Sequence, residues 1–439
     1  MFGLATYSVL IAVLIVGTIR RPAVAFAGVL CLYGLKQWGQ NTTTLLVQYR
    51  MATNLIVGAL VLVAVAILAF GDRTKFDFKM PTNWKFAVAL YFYAFMTLLL
   101  APDFDASLKQ WSLQWPYVVT FVIFLPLVLN SMADVRIAIT ATVLVGGAIC
   151  ALALFAGNWG LRGLVILGDI YEQQTNPLAI ASLGGTVFLG ALFLLRIPQP
   201  VWRKILLAAL IPIGIAVIFR SQSRGQLGAA ALAGAIGWLF ASRKAIGVRL
   251  FSLVVAGVFV GAMGWWVFDQ LHVDAQRFSG DLAGSDAEGR LEMARTLLGE
   301  AARSPGSLIF GLGNSSSYYY LGIYPHITAL EVLAEEGLVG FMLYAAFIVF
   351  TFAGAARLFG AMNDTSAIGD RVAAAAVLSL FMFELMLSMK QGTFLTSTYV
   401  IAYATIIARM GNWQMGDDQA VAQEPLAQKP APLYPNLMR

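Results

Sequence analysis

The chain has two histidines, His272 and His326, and both fall in its longest polar stretch, residues 269–337. That stretch also carries Arg277, Arg290, Arg295 and Arg303. Imidazole is the side chain whose unperturbed pKa lies near neutrality, so a reaction needing a general base at pH 7 points to a histidine. His326 stands just before Ala329, Leu330, Leu333 and Gly337, which recur at helical spacing, so it is expected to cap or begin a helix. Glu331 and Glu335 belong to the same helix and could orient the ring. His272 has no such neighbours and reads as a surface residue.

A second group of residues could bind an anion. Arg220 and Arg224 lie in Phe219-Arg220-Ser221-Gln222-Ser223-Arg224-Gly225, a short turn between two apolar runs, and Arg162 lies in Trp159-Gly160-Leu161-Arg162-Gly163 just outside another. Charged residues at such places tend to face a cavity and a partner. The guanidinium fork suits phosphate oxygens. The bland alternative is an interfacial arginine that snorkels to water, and it weighs more for Arg162 and Arg220 than for Arg224. Gly225 beside Arg224 would let a ligand approach the backbone closely.

Arg290 precedes Leu291, Ala294, Leu297 and Leu298, which share one face of a short helix within the loop. Residues 269–286 before it read as irregular. In the first turn of that helix a cation opposes the dipole, unless it serves an anionic ligand held at the helix start. The glycine-rich segment 304–314 lacks the Gly-Lys-Ser/Thr of a P-loop. Tyr318, Tyr319, Tyr320 and Tyr324 could stack on sugars, but an interfacial aromatic cluster is the commoner explanation. Neither an Asp-x-Asp nor a His-Glu-x-x-His pattern occurs, so no metal and no cofactor is expected. Arginines would then offset the charge of a departing phosphate.

The elements that position these residues are membrane helices. Of 439 residues, 59% are hydrophobic and 12% charged, against about 25% charged in a soluble protein. Continuous apolar runs exclude a β-barrel, whose strands alternate. The pattern is that of an all-α polytopic membrane protein, with about 13 apolar runs of which about 12 are expected to span. The runs at 22–36 and 394–409 are the weakest. Cys31 and Cys150 sit inside apolar runs as small core residues. The first run has no basic segment ahead of it and reads as a retained span.

One alternate set of connections holds Arg20, Arg21, Arg73, Lys75, Lys79, Lys85, Arg136, Arg196, Arg203, Lys204, Arg243, Lys244, Arg249, Arg357 and Arg371. The other holds fewer: Lys36, Arg50, Lys109, Arg162, Arg220, Arg224 and Lys390. The richer set is expected to face the cytoplasm, which puts the 269–337 loop outside. The net charge of +6 speaks to orientation rather than to nucleic acid. Four regions follow: membrane helices over 1–268, an outer loop over 269–337, membrane helices over 338–410, and a Gln/Pro/Ala-rich disordered cytoplasmic tail over 411–439.

Ser223-Arg224-Gly225 opening an apolar helix, Gly289-Arg290 opening a loop helix, and His-x-x-x-x-Glu-x-x-x-Glu-x-Gly-x-x-Gly at 326–340 occur in that order. Together with Gly168 and Asn176-Pro177, they resemble the bacterial O-antigen ligase and O-antigen polymerase superfamily. The likeness covers roughly residues 160–345 at motif level. Where the family often has Asn or Ser after the histidine, this chain has Ile327, which removes a hydrogen-bonding group beside the base.

The resemblance implies a GT-C-like, metal-independent inverting glycosyltransferase of the bacterial inner membrane whose large periplasmic loop carries short helices. Its donor would be O-antigen on undecaprenyl diphosphate, and its acceptor a sugar hydroxyl of lipid A–core. His326 would be the base, and Arg224 and Arg290 would bind the diphosphate, with Arg220 and Arg162 nearby. A polymerase joining lipid-linked repeats, or a transferase of glycans to protein, would use the same chemistry. A transporter of lipid-linked sugars is the reading from another class, although transporters place their charges near the membrane midplane.

Overall fold

The computed structural model describes residues 2–71, 78–168, 173–241, 247–248, 280–362 and 368–422. Among them there is no β-strand, only the isolated bridges Trp159–Leu164 and Val165–Gln174. Nine helices among the described residues are long and apolar enough to cross a membrane: Phe2–Arg20, Ala52–Phe70, Thr82–Leu100, Phe104–Val128, Met132–Ala156, Pro177–Leu194, Val201–Arg220, Gly337–Ala361 and Ile368–Ser388. The chain is thus an all-α, multi-pass membrane protein. The expected span at 250–268 and the start of the polar loop, with His272 and Arg277, lie outside the described residues.

The outward faces of these helices are what a bilayer requires. Phe2–Arg20 turns Tyr7, Leu10, Ile11 and Leu14 into the bundle and leaves Val9, Val13, Val16 and Ile19 exposed. In water such a patch would drive association, whereas lipid tails solvate it. Inside the bundle, small residues let helices touch. Gly184 of Pro177–Leu194 and Gly214 of Val201–Arg220 face each other so closely that a Cβ on either would lie within 2.7 Å of the other's carbonyl oxygen.

Two runs differ from their expected form. The run at 22–36 is broken at Cys31 into Val24–Leu30 and Leu32–Thr42, each too short for a bilayer core of about 30 Å. The last helix, Thr398–Ala422, continues well beyond residue 411, where the sequence suggested a disordered tail. Residues 423–439 lie outside the described residues.

Side chains and loops knit several helix ends together at one end of the bundle. Asn41 Nδ2 donates to the carbonyls of Asn158 (2.8 Å) and Val165 (2.7 Å), and its Oδ1 accepts from the Asn158 amide. Gln37 Nε2 donates to the Asn176 carbonyl at 2.8 Å. Asn176 in turn caps Pro177–Leu194, its Oδ1 accepting from the Leu178 amide, with proline in the first turn. Gln226 Nε2 donates to Gln391 Oε1 at 2.7 Å, joining the starts and ends of two further helices. The polar loop sits at this end.

Candidate active site

The loop is built from four described helices: Gly280–Ala301, Pro305–Phe310, Ser317–Leu321 and Thr328–Glu335. The first is longer than its sequence suggests. Gly280, Gly284 and Gly289 disfavour helix, yet Leu297 and Ala301 pack against Leu312 and Ala334 with Ala294 buried beside them, and that packing overrides propensity. Arg290 therefore stands in mid-helix. The argument that it opposes a helix-start dipole does not hold, because the first turn lies at Gly280.

Thr328–Glu335 does not run on into the next span. Gly337, at φ +67, breaks the chain, and Gly311, at φ +92, packs directly against it. A Cβ on Gly337 would meet the Gly311 nitrogen and the Ile309 carbonyl, so this seat accepts only glycine. The amides of Leu312 and Gly313 donate to the carbonyls of Ala334 and Glu335, each at 2.9 Å.

The glutamates of this helix hold the loop rather than the imidazole. Glu335 accepts from the amides of Ser315 (2.7 Å) and Ser317 (2.8 Å). Glu331 accepts from the Phe394 amide through both oxygens at 3.2 Å, and Glu336 from Asn314 Nδ2 at 2.6 Å. The expectation that Glu331 and Glu335 orient His326 is corrected, because both are turned inward onto backbone amides. Burial pushes all three carboxyls up, Glu335 to about 7 and the other two well above the ordinary range, and their mutual repulsion adds to this for Glu331 and Glu336. Sequence reasoning missed Glu336. Its signal was a third carboxylate on a short, otherwise apolar segment.

His326 sits ahead of this helix, whose cap position is Ile327, and adopts φ +63. A left-handed backbone is uncommon for a side chain of this size, and such residues cluster at functional sites. Nδ1 is buried without a hydrogen-bond partner among the described residues, and the ring meets that of Tyr324 with centroids 4.4 Å apart. Burial first, and the Arg290 charge second, lower the imidazole pKa below its ordinary value. Both effects disfavour the charged form of the ring, and a general base must start out neutral. The Arg290 charge is thus within electrostatic reach of the His326 ring.

The other arginines lie on the neighbouring helix ends. Arg224 is the first residue of Arg224–Ala241 and half-buried. The space over Gly225 is filled by the Lys390 side chain, so the close approach expected of a ligand there is made by the protein instead. Segment 388–397 connects this turn to the histidine helix. Gln391 meets Gln226, the Ser388 carbonyl accepts from the Thr328 hydroxyl at 2.8 Å, and Phe394 meets Glu331. Arg220 lays its guanidinium over Trp159, 5.3 Å from the ring centre. The amides of Arg162 and Gly163 both donate to Gln174 Oε1 at 3.0 Å, and Gln222 Nε2 reaches the Leu161 carbonyl. Arg162 and Arg220 are thus linked to each other through the Trp159–Gly163 turn.

A cavity of about 540 Å³ opens nearby, and His326, Arg290, Arg224, Arg220 and Arg162 are not among the residues that line it. Tyr324 and Gln391 line it from the loop side and Gln174 and Asn176 from the Arg162 side. Lys36, Arg50 and Glu384 also border it, and sequence reasoning gave none of them a role in binding. Among the described residues no set of three or more His, Cys, Asp or Glu side chains is placed to hold a metal ion. The positive charges around the cavity are guanidinium and ammonium groups. Compared with known proteins, the chain matches no protein-family model and no curated sequence.

Proposed function

We propose that the protein is a metal-independent, inverting glycosyltransferase that moves a glycan from undecaprenyl diphosphate to a sugar hydroxyl, of the O-antigen ligase type with lipid A–core as acceptor. His326 takes the proton of the acceptor hydroxyl as its oxygen attacks the anomeric carbon. The bond from that carbon to the diphosphate oxygen breaks, and the lipid diphosphate leaves with its charge offset by Arg290 and Arg224. Attack opposite the leaving group inverts the anomeric centre. The proposal includes a GT-C-like bundle of about 12 spans in the bacterial inner membrane, with the site facing the periplasm.

The observation that carries the reading is that His326, whose charged form is disfavoured by burial and by the Arg290 charge, packs on Tyr324, which lines the cavity. A base and an anion-stabilising charge at one point are what displacement of a phosphate leaving group needs. A transporter would place its charge near the middle of the spans. Glu384, which borders the cavity, lies about one turn from the end of Ile368–Ser388. Purified protein given lipid-linked glycan and, separately, lipid A–core, a second lipid-linked glycan or an acceptor protein tests the proposal. Transfer to lipid A–core is the expected outcome. Growth of the lipid-linked chain alone would replace the ligase by a polymerase, and transfer to none of the acceptors would remove the enzyme.

A further inference from the structure

Lys36 and Arg50 share the cavity with Tyr324, and nothing in the catalytic reading uses them. They are close enough that the Arg50 charge acts on the Lys36 ammonium, a repulsive arrangement. No carboxylate of the described residues lies within ion-pair distance of either. Lys36 makes no hydrogen bond, and Arg50 spends only its Nε, at 3.4 Å from the Val47 carbonyl. The segment that carries them is held firmly. Asn41 ties it to the turn at 158–165 by three hydrogen bonds, and the Leu167 amide donates to the Gln40 carbonyl at 2.9 Å. Two cations bordering one cavity, with no carboxylate of the described residues paired to either, favour an anion from outside.

The rest of the wall describes what the anion is attached to. Gln37 and Thr175 border the cavity, and their Oε1 and Oγ1 atoms, buried within its wall, have no hydrogen-bond partner among the described residues. The carboxyl of Glu384 also faces this space without a hydrogen-bond partner among the described residues. A carboxyl accepts from hydroxyls and would repel a bare polyphosphate. The ligand thus carries phosphate at one end and hydroxyls on its body, and the volume is far larger than a phosphate alone needs.

We infer that Lys36 and Arg50 form a phosphate-binding subsite that holds a phosphorylated saccharide in the cavity bordered by Tyr324. This goes beyond the catalytic reading, which gives the leaving diphosphate to Arg224 and Arg290. Two sources share the chemistry: a phosphate on the sugar itself, or the diphosphate of a polyprenyl carrier.

Equilibrium binding needs no turnover, so the test stands apart from the transferase reading. Full-length protein in detergent is titrated with glucose 6-phosphate, with glucose and with inorganic phosphate. In nanodiscs it is titrated with a polyprenyl diphosphate. The expected result is that Lys36→Gln/Arg50→Gln weakens binding of glucose 6-phosphate about tenfold or more, while Lys36→Arg keeps it. Glucose should bind no better to the wild type than to the double variant. A loss seen only with the polyprenyl diphosphate assigns the phosphate to the carrier. Equal affinity of wild type and double variant in both arms overturns the inference, as does inorganic phosphate binding as tightly as glucose 6-phosphate. Should the double variant not fold, the salt dependence of the wild type decides: affinity unchanged by about a tenfold rise in ionic strength rules out a charged contact.

Discussion

The edge of one ring meets the face of the other where Tyr324 packs on His326, their centroids 4.4 Å apart and their planes at 65°. This contact ties the candidate base to the cavity, because Tyr324 borders the space and His326 stands behind it. Tyr318 backs Tyr324 in turn at 6.2 Å. Part of the tyrosine cluster thus packs behind the imidazole.

His326→Asn is the informative removal of the base. Asparagine tolerates the left-handed backbone that His326 adopts, so the fold should survive. Transfer from lipid-linked donor should fall by about 10²–10⁴-fold, with donor binding retained. Wild-type transfer by a folded Asn variant would remove His326 from the mechanism.

The pH profile should carry the mark of Arg290. Burial and the Arg290 charge hold the imidazole pKa below its ordinary value, so the acid limb of kcat/KM lies below the usual histidine range. Arg290→Gln removes one of the two causes, the imidazole then binds its proton more readily, and the limb moves to higher pH. A limb that stays in place would show that the guanidinium does not act on the base.

Glu335 should make stability fall as pH rises. Its carboxyl titrates at about 7 in the folded protein against about 4.5 as its ordinary value, so between these values the folded state holds a proton that the unfolded state releases. The contribution is complete below about 4.5 and lost as pH rises through about 7. Unfolding temperatures in detergent at pH 5 and pH 8 check this. Glu335→Ala should reduce the fall between the two, and should also destabilise at both by about 1–3 kcal/mol for each amide left without an acceptor. Parallel pH slopes in wild type and variant would contradict the assignment.

Two glycines should respond in opposite directions. Gly337→Ala places a Cβ against the Gly311 backbone in a left-handed conformation and should destabilise by at least about 1–2 kcal/mol. Gly289→Ala, in mid-helix with open space around it, should stabilise by about 0.5–1 kcal/mol. Thermal unfolding of both variants measures the contrast.

The membrane class is legible in the residues, because it follows from hydropathy, and so is the start of a helix just after His326. The break at Cys31 is not, since the apolar run continues through it. Nor is the length of Gly280–Ala301, where packing of Ala294, Leu297 and Ala301 outweighs three glycines. Periodicity places Glu331 and Glu335 on one helix but cannot show that their partners are amides of Phe394, Ser315 and Ser317, which are remote in sequence. For the same reason Lys36 and Arg50 read as ordinary loop charges until the fold sets them beside Tyr324.

The histidine helix takes two of its hydrogen bonds from far down the chain, the Thr328 hydroxyl reaching the Ser388 carbonyl and Glu331 receiving the Phe394 amide. During synthesis both partners leave the ribosome after the helix itself, separated from it by two complete spans. The loop therefore cannot take its final seat until those spans have been inserted. A nascent chain stalled before Ser388 would display the histidine without assembling the centre around it, which ties activity to completed insertion.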